Sequence, residues 1–344
     1  MSRNGRQQRA QKRKGLAKRV SGGRRVSPGV LRRSTTLFFR LLLWVLDTVR
    51  AVDGVSFSIL ERETLGRVGE SGSGKSTVAY TVMGIYPTTG GRILFKGNEI
   101  SNEARGRSKA VKKDIQIVFQ DPGSSLNARR SIRQIMELPL KVHGTVERKR
   151  RDERIVELLG MVEPPADYMH KHSGSIGGGE RQMVAIARAL ATNPYFAVLD
   201  EPTSALDVSV QAKTINLLLR LQREFRFTYL FITHDLSLMR NMATRLAIMY
   251  LGKICEIAPT VEFFASPLHP NTRMLLSSIP VISDEEEELK PKRIESRGEI
   301  PSPVNIPSDC SFHPRCPERM EICDKVDPGM VEHAPGHFVR CHLY

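Results

Sequence analysis

At 344 residues, with 40% hydrophobic and 26% charged side chains, the chain has ordinary globular composition and enough length for one large or two modest cores. Its most lipid-like piece, Leu41 to Leu46, is six residues long and is cut off from Leu37 by Arg40. A bilayer-crossing helix needs about 20 such residues and is excluded. The formal net charge of +15 is local: residues 1–33 carry twelve Lys or Arg and no acid, leaving 40 basic against 37 acidic side chains in the remainder.

Taken in chain order, the basic arm (1–33) reads as a solvated, disordered tail, because it has almost no apolar residue to bury. Binding of nucleic acid or anionic lipid head groups is the alternative use of such charge. A signal peptide is not expected, because the charged region is too long and Arg40 breaks the apolar one. An apolar segment follows at 37–46. The alternation from Val52 to Leu60 predicts a half-buried strand. TLGRV (64–68) predicts a strand leading into a glycine loop, and the helix behind that loop runs through Val82. GRILF (91–95) and DIQIVF (114–119) read as strands. The pattern is helical from about Ile132 to Ala191 and returns to strand at Tyr195 to Leu199 and at Tyr229 to Thr233. Strands alternating with helices around such a loop predict an α/β domain with a mixed, largely parallel sheet, which we place at 34–280. The helical block, about 120–191, reads as a subdomain inserted into it. Beyond Pro280 a charged linker, SDEEEELKPK (283–292), opens a small Pro- and Cys-rich extension, 281–344.

The glycine loop carries the first chemistry. GESGSGKST (69–77) fits G-x-x-x-x-G-K-[ST], and it lies between a predicted strand and a predicted helix, as the motif requires. Gly69, Glu70, Ser71, Gly72, Ser73, Gly74, Lys75, Ser76 and Thr77 are therefore expected to cradle phosphate oxygens with backbone N–H groups. The helix N-terminus adds partial positive charge. Lys75 should reach the β and γ phosphates, and the Ser76 hydroxyl should ligate Mg²⁺. Asp200 and Glu201 close the apolar strand YFAVL. There an Asp can hold the metal through water, and the adjacent Glu can act as general base on an attacking water. His234 and Gln120 end two further apolar strands. Either alone could be a plain polar strand end; together with the loop and the acidic pair they are candidates for the same site.

With these residues in place, the chain from about residue 50 to its end resembles ATP-binding cassette (ABC) ATPases, specifically the ATPase subunits of oligopeptide and dipeptide importers. The resemblance rests on AVDGVSFSI before the loop, VFQDPGSSLN around Gln120 and DEPTSALDVSVQA at the acidic pair and following loop. It continues through YLFITHDL, MYLGKICEIAP and PLHPNTRMLLSSIP to GEIPSP, FHPRCP and CHLY, the last group being particular to the peptide-importer branch. It implies a P-loop NTPase fold of the ABC type that binds ATP and Mg²⁺. It also implies that Gln120 contacts the metal and the water, with Ser76 and Asp200 as the other metal-holding residues. Glu201 is then the base, His234 the switch histidine, and Asp207 a residue that communicates across a dimer. Two such ATPases sandwich two ATPs, each phosphate loop facing the other subunit's signature turn, and closure pulls on two integral-membrane permease subunits. The second ATPase is expected to be a related subunit, an extracytoplasmic peptide-binding protein acts indirectly, and the location is peripheral on the cytoplasmic face of the membrane.

The chain departs from the family in its signature turn. L-S-G-G-Q is replaced by Ile176, Gly177, Gly178, Gly179 and Glu180. Gly177 deletes a hydroxyl that would donate to the partner's γ phosphate, so hydrolysis at that one composite site is expected to be impaired. Arg67 stands at a strand position where the family usually has an apolar residue. No clear aromatic is available to stack adenine; Phe38, Phe39 and Trp44 are possible substitutes or a packing cluster.

Four of the five cysteines, Cys310, Cys316, Cys323 and Cys341, fall in the last 35 residues, with five, six and seventeen residues between them. They could hold zinc or an iron–sulfur cluster, or remain free thiols. The lack of a CxxC pair, with the resemblance, favours a 4Fe–4S cluster. Cys255, in a strand-like segment, reads as a small buried apolar residue. The expected function is ATP hydrolysis powering peptide import. The alternatives are an ATP-binding subunit with impaired turnover and a soluble nucleic-acid-associated ABC ATPase using the basic arm. A single cassette followed by an importer-type tail argues against nucleic acid as a partner.

Overall fold

Ten strands run through the described residues in the order β1 (Thr64–Val68), β2 (Leu94–Phe95), β3 (Asn98–Glu99), β4 (Ile115–Val118), β5 (Phe196–Asp200), β6 (Thr228–Thr233), β7 (Arg245–Tyr250), β8 (Lys253–Pro259), β9 (Val331–Ala334) and β10 (His337–Val339). The structure, a computed structural model, describes residues 49–101, 104–279 and 298–344. The basic arm, Phe38, Phe39, Trp44 and the charged linker lie outside them.

Eight strands share one sheet in the order β4-β5-β6-β1-β7-β8-β10-β9. The first five pair in parallel, and the last three add on antiparallel. The parallel strands are nearly continuous runs of apolar side chains, because both faces of such a sheet are covered. Alternate residues therefore feed two cores. Val68, Leu199, Phe231 and Ile248 join one apolar cluster, while Leu65, Val198, Leu230, Ile232 and Ala247 join the other. Fully burying an aliphatic side chain of this kind contributes about 1.5–3 kcal/mol, so the sheet is the stable frame from which the site hangs.

The helices follow as α1 (Lys75–Met83), α2 (Lys109–Asp114), α3 (Pro122–Ser125), α4 (Ile132–His143), α5 (Arg151–Met161), α6 (Gly178–Leu190), α7 (Val208–Phe225), α8 (Leu236–Met242), α9 (Thr260–Ala265) and α10 (Pro270–Ser277). Helix α4 starts at a capping box: the Ser131 hydroxyl accepts from Gln134 N–H at 3.3 Å, and Gln134 Oε1 accepts from Ser131 N–H at 3.1 Å. Helices α4, α5 and α6 turn Ile135, Met136, Leu140, Ile155, Leu158, Leu159, Val184 and Ile186 into the first core.

Two predicted strands change. Residues 52–60 form no strand, although the alternation is real: Val55, Phe57 and Ile59 pack against the second core, and Val52 and Leu60 are exposed. The period of two encodes which side chains turn inward, but a strand also needs a ladder of backbone hydrogen bonds, and among the described residues this segment forms none, Asp53 N–H donating singly to Gly252 O at 2.9 Å. GRILF shrinks to β2, which pairs with β3 in a separate two-stranded ladder.

The Cys-rich extension continues the main sheet through β10, which pairs with β8. Its interior is a third apolar cluster of Tyr250, Leu251, Cys255, Met274, Phe312 and Cys316. Glu256, fully buried on β8, fastens this end. It accepts from the N–H groups of Leu268 and His269, each at 2.9 Å, and lies 2.7 Å from His337 Nε2.

Candidate functional site

The phosphate loop leaves β1 at Gly69 and enters α1 at Gly74, and neither position tolerates a side chain. A Cβ at Gly69 would meet Met249 O at 2.2 Å. One at Gly74, where φ is +97°, would meet Ala51 O at 2.0 Å. The loop is thus laid directly on the backbone of two neighbouring segments. From below, the β7–β8 turn donates Gly252 N–H to Ser73 O at 3.0 Å. Lys75 Nζ donates to Gly69 O at 2.7 Å and Glu70 O at 2.9 Å, so the ammonium sits within the curl of the loop. Burial lowers its pKa; the carboxylates of Glu201, Asp200 and Glu70 act against this, and the Arg67 cation adds to it. No acidic side chain occupies the first turn of α1, which leaves the positive end of that helix for an anion.

Ser76 Oγ donates to Asp200 Oδ1 at 3.1 Å. The other carboxylate oxygen, Asp200 Oδ2, is buried with no hydrogen-bond partner among the described residues. Burial pushes the Asp200 carboxyl up, opposed by Ser76 and by the Tyr80 hydroxyl, which lies near it. An orphaned, buried carboxylate oxygen beside a hydroxyl is a fitting donor set for a hard divalent cation, so Ser76 and Asp200 fit Mg²⁺. Tyr80 itself, pushed up to about 12 by burial and by Asp200, is a residue the motif does not name. Its i, i+4 relation to Ser76 on α1 is the signal that places both on one face.

Glu201 follows with φ at +46°, a left-handed conformation that a non-glycine residue adopts only where its surroundings hold it. Its N–H donates to Ile232 O at 2.9 Å, locking the strained residue against β6. Two polar strand ends converge on its carboxylate: Gln120 Nε2 donates to Glu201 Oε2 at 3.0 Å, and His234 Nδ1 lies 3.4 Å from the same oxygen. The arrangement can hold a water between a base and two polar groups beside the mouth of a phosphate loop.

The signature turn forms the N-terminus of α6. Gly177 is the N-cap, in extended conformation, and its N–H donates to Glu180 Oε2 at 2.8 Å. This is only half of a capping box, since glycine has no hydroxyl to return the bond. Glu180 Oε1 also accepts from Tyr168 at 2.5 Å, and these two bonds, Tyr168 first, hold its carboxyl below the usual range. Gly179 packs under α7, where a Cβ would meet Val210 Cγ1 at 2.8 Å. Asp207 caps α7, accepting from Val210 N–H at 3.0 Å and from Ser209 Oγ at 2.7 Å, and both bonds, Ser209 first, lower its pKa.

Arg67 is buried in β1, and among the described residues Met249 Sδ, 2.8 Å from Nη2, is its polar partner, with none for Nε and Nη1. Burial lowers its pKa to about 9. The tail cysteines do not assemble a ligand set: among the described residues no three or more His, Cys, Asp or Glu stand where they could hold a metal ion. The expectation of a 4Fe–4S cluster therefore finds no support. Cys316 lies in the apolar cluster around Phe312, and burial pushes its thiol up to about 11, with the nearby Cys341, Cys310 and Cys323 adding to the rise. Cys255 packs in the same cluster, as its apolar reading predicts.

Fold and site together are those of an ATP-binding cassette. Solved structures agree. A dimeric ATP-binding cassette in a post-hydrolysis state with ADP and phosphate matches at TM-score 0.56 and 30% identity, over 61% of this chain and 90% of that one. CbiO1 from Clostridium perfringens, part of an ABC transporter complex, matches at TM-score 0.56 and 28% identity over 63% and 84%. The ABC transporter family model matches residues 52–204, and the oligopeptide/dipeptide transporter C-terminal region matches residues 255–323. The oligopeptide transport ATP-binding protein AppF of Bacillus subtilis is 49% identical over 297 residues, 86% of this chain and 90% of AppF. A putative oligopeptide transport ATP-binding protein of the same organism, YkfD, is 47% identical over 298 residues, again 86% and 90%. The chain belongs to the ATP-binding subunits of ABC transporters, in their oligopeptide/dipeptide branch.

Proposed function

We propose that this chain hydrolyses ATP to drive import of oligopeptides or dipeptides through separate membrane subunits. The observation that carries the hydrolytic assignment is the convergence of Gln120 and His234 on Glu201 Oε2, next to the Ser76–Asp200 pair. The relatives named above and the match over 255–323 support the peptide substrate. No helix among the described residues is long and apolar enough to cross a membrane, and we assign the path for the peptide to other subunits.

In this reading Gly69 to Thr77 hold the triphosphate, and Lys75 exchanges its loop carbonyls for phosphate oxygens. Ser76 and Asp200 would hold Mg²⁺, which neutralises charge on the phosphoryl group in flight. The amide oxygen of Gln120 is the group we assign to the metal and the water. Glu201 takes the proton of the attacking water, a role worth about 10²–10⁴-fold. His234 fixes the carboxylate and faces the terminal phosphate. Gly177 to Glu180 and Asp207 form the surface offered to a second ATPase, which we assign to a related subunit, with two permeases and an extracytoplasmic peptide-binding protein completing the machine at the cytoplasmic face.

The test is co-purification with candidate permease and ATPase subunits, followed by ATPase and peptide-uptake measurements on the wild type and Glu201→Gln. Loss of at least about 100-fold in hydrolysis with ATP binding retained is expected. Full activity in the variant would refute the assignment of the base, and peptide-independent uptake of another solute would refute the substrate.

A further inference from the structure

The phosphate loop is held by a residue 245 positions away in sequence. Arg315, in the C-terminal extension, donates Nη1 to Glu70 Oε2 at 2.8 Å and Nη2 to Glu70 Oε1 at 3.2 Å, a parallel two-bond fork. Its side chain is 6% exposed, and its guanidinium lies 5.9 Å from the Tyr250 ring centroid and 6.0 Å from that of Phe312. Those two rings meet edge to face at 5.3 Å. Tyr250 in turn enters the β7–β8 turn whose Gly252 holds Ser73 O. The extension thus reaches both ends of the loop, through Arg315 at Glu70 and through the Phe312–Tyr250 contact beneath Ser73. Glu70 is also the residue whose carbonyl receives Lys75 Nζ.

We propose that Arg315 is a positioning residue for ATP: by pairing with Glu70 it fixes the phosphate loop and neutralises a carboxylate that would otherwise oppose the triphosphate, so the C-terminal extension is part of the nucleotide site. Two physical effects act in the same direction. A loop held in its bound shape loses less entropy when ATP arrives. A bare carboxylate on the rim of a polyanion site repels the ligand, and more strongly where water is partly excluded. Both act on ATP binding and leave the chemical step to Glu201, so the effect falls on KM and not on kcat.

The inference rests on Gly69–Thr77 being the ATP site, and the experiment separates the two. ATPase kinetics are measured on the purified full-length chain in its transporter assembly, for the wild type, Arg315→Ala, Arg315→Lys, Glu70→Gln and the double variant Glu70→Gln/Arg315→Ala. Wild-type protein without ATP-dependent turnover would sink the functional reading itself. With turnover present, Arg315→Ala is expected to raise KM for ATP about tenfold with kcat within about twofold. The double variant should return KM to within about threefold of wild type, because the unopposed charge is gone. A purely structural Arg315 would give no such recovery. If Arg315→Ala fails to fold, Arg315→Lys carries the test: it keeps the charge but not the fork, so KM should rise only about threefold, the fork's share that the double variant also loses. Unchanged KM in Arg315→Lys, or a loss in Arg315→Ala that Glu70→Gln does not relieve, overturns the proposal.

Discussion

Restoring a hydroxyl at Gly177 is the sharpest test of how the signature turn works. The backbone there has φ −66° and ψ 167°, which any residue adopts without strain. A Cβ would lie 3.5 Å from Glu180 Oε2, an ordinary contact, so Gly177→Ser fits the existing turn. Within the chain the change completes the capping box of α6 and contributes only a few tenths of a kcal/mol over glycine. Across the dimer it should do far more. A hydroxyl hydrogen bond to a charged phosphate contributes about 1.5–3 kcal/mol, and if it is strongest in the transition state it raises turnover roughly 10- to 100-fold. The assay is steady-state hydrolysis at saturating ATP by the complete assembly, with thermal melting of the same preparations as a control. If the partner ATPase has an intact turn, the gain appears at the partner's loop, and blocking that loop with its own Lys substitution should abolish it. A rise in melting temperature without any rise in kcat would refute the reasoning, because it would reduce the turn to a helix cap.

Three further outcomes are expected. Arg67→Leu should stabilise the fold: lowering the guanidinium pKa from 12.5 to about 9 corresponds to about 5 kcal/mol of unfavourable burial, and a denaturant midpoint that does not rise would contradict it. Gly74→Ala should abolish ATP binding in an equilibrium titration while the sheet stays folded, since its Cβ would strike Ala51 O and the +97° φ is strained for alanine. Acid should loosen the extension through His269, whose pKa is lowered to about 4 by burial, with Glu256 opposing. The unfolded chain binds the extra proton between about pH 6.5 and 4, so this stability is complete above pH 6.5 and about 3 kcal/mol is lost as pH falls to 4. His269→Asn keeps the acceptor for Asn271 N–H, and urea melts across that range should show a flatter slope; an unchanged slope would exclude His269 as the titrating group.

The parts of this site that are readable from sequence are those whose chemistry is local. The loop needs glycine, lysine and serine at fixed spacing, and the acidic pair needs only the end of an apolar strand, so Lys75, Ser76, Asp200 and Glu201 stand out without a fold. Gln120 and His234 become readable once strands β4 and β6 are recognised, because strand ends on one edge of a parallel sheet meet in one crevice. What fails is whatever depends on a distant partner. Residues 52–60 alternate correctly, yet the ladder that would make them a strand is not a property of their own sequence. The tail cysteines have a spacing compatible with a metal, while Cys316 packs into the apolar cluster around Phe312. The fork between Arg315 and Glu70 leaves no local trace, since each side chain alone reads as a solvated charge.

Gly179 and Asp207 lie on different elements, yet they share Val210. The missing side chain at 179 lets α6 rest on Val210, and the Val210 N–H is the group that Asp207 caps. The two patches we assign to a neighbouring subunit are therefore joined through one residue, Val210. If a neighbouring subunit grips both patches as proposed, Val210 is the residue through which a push at one would reach the other.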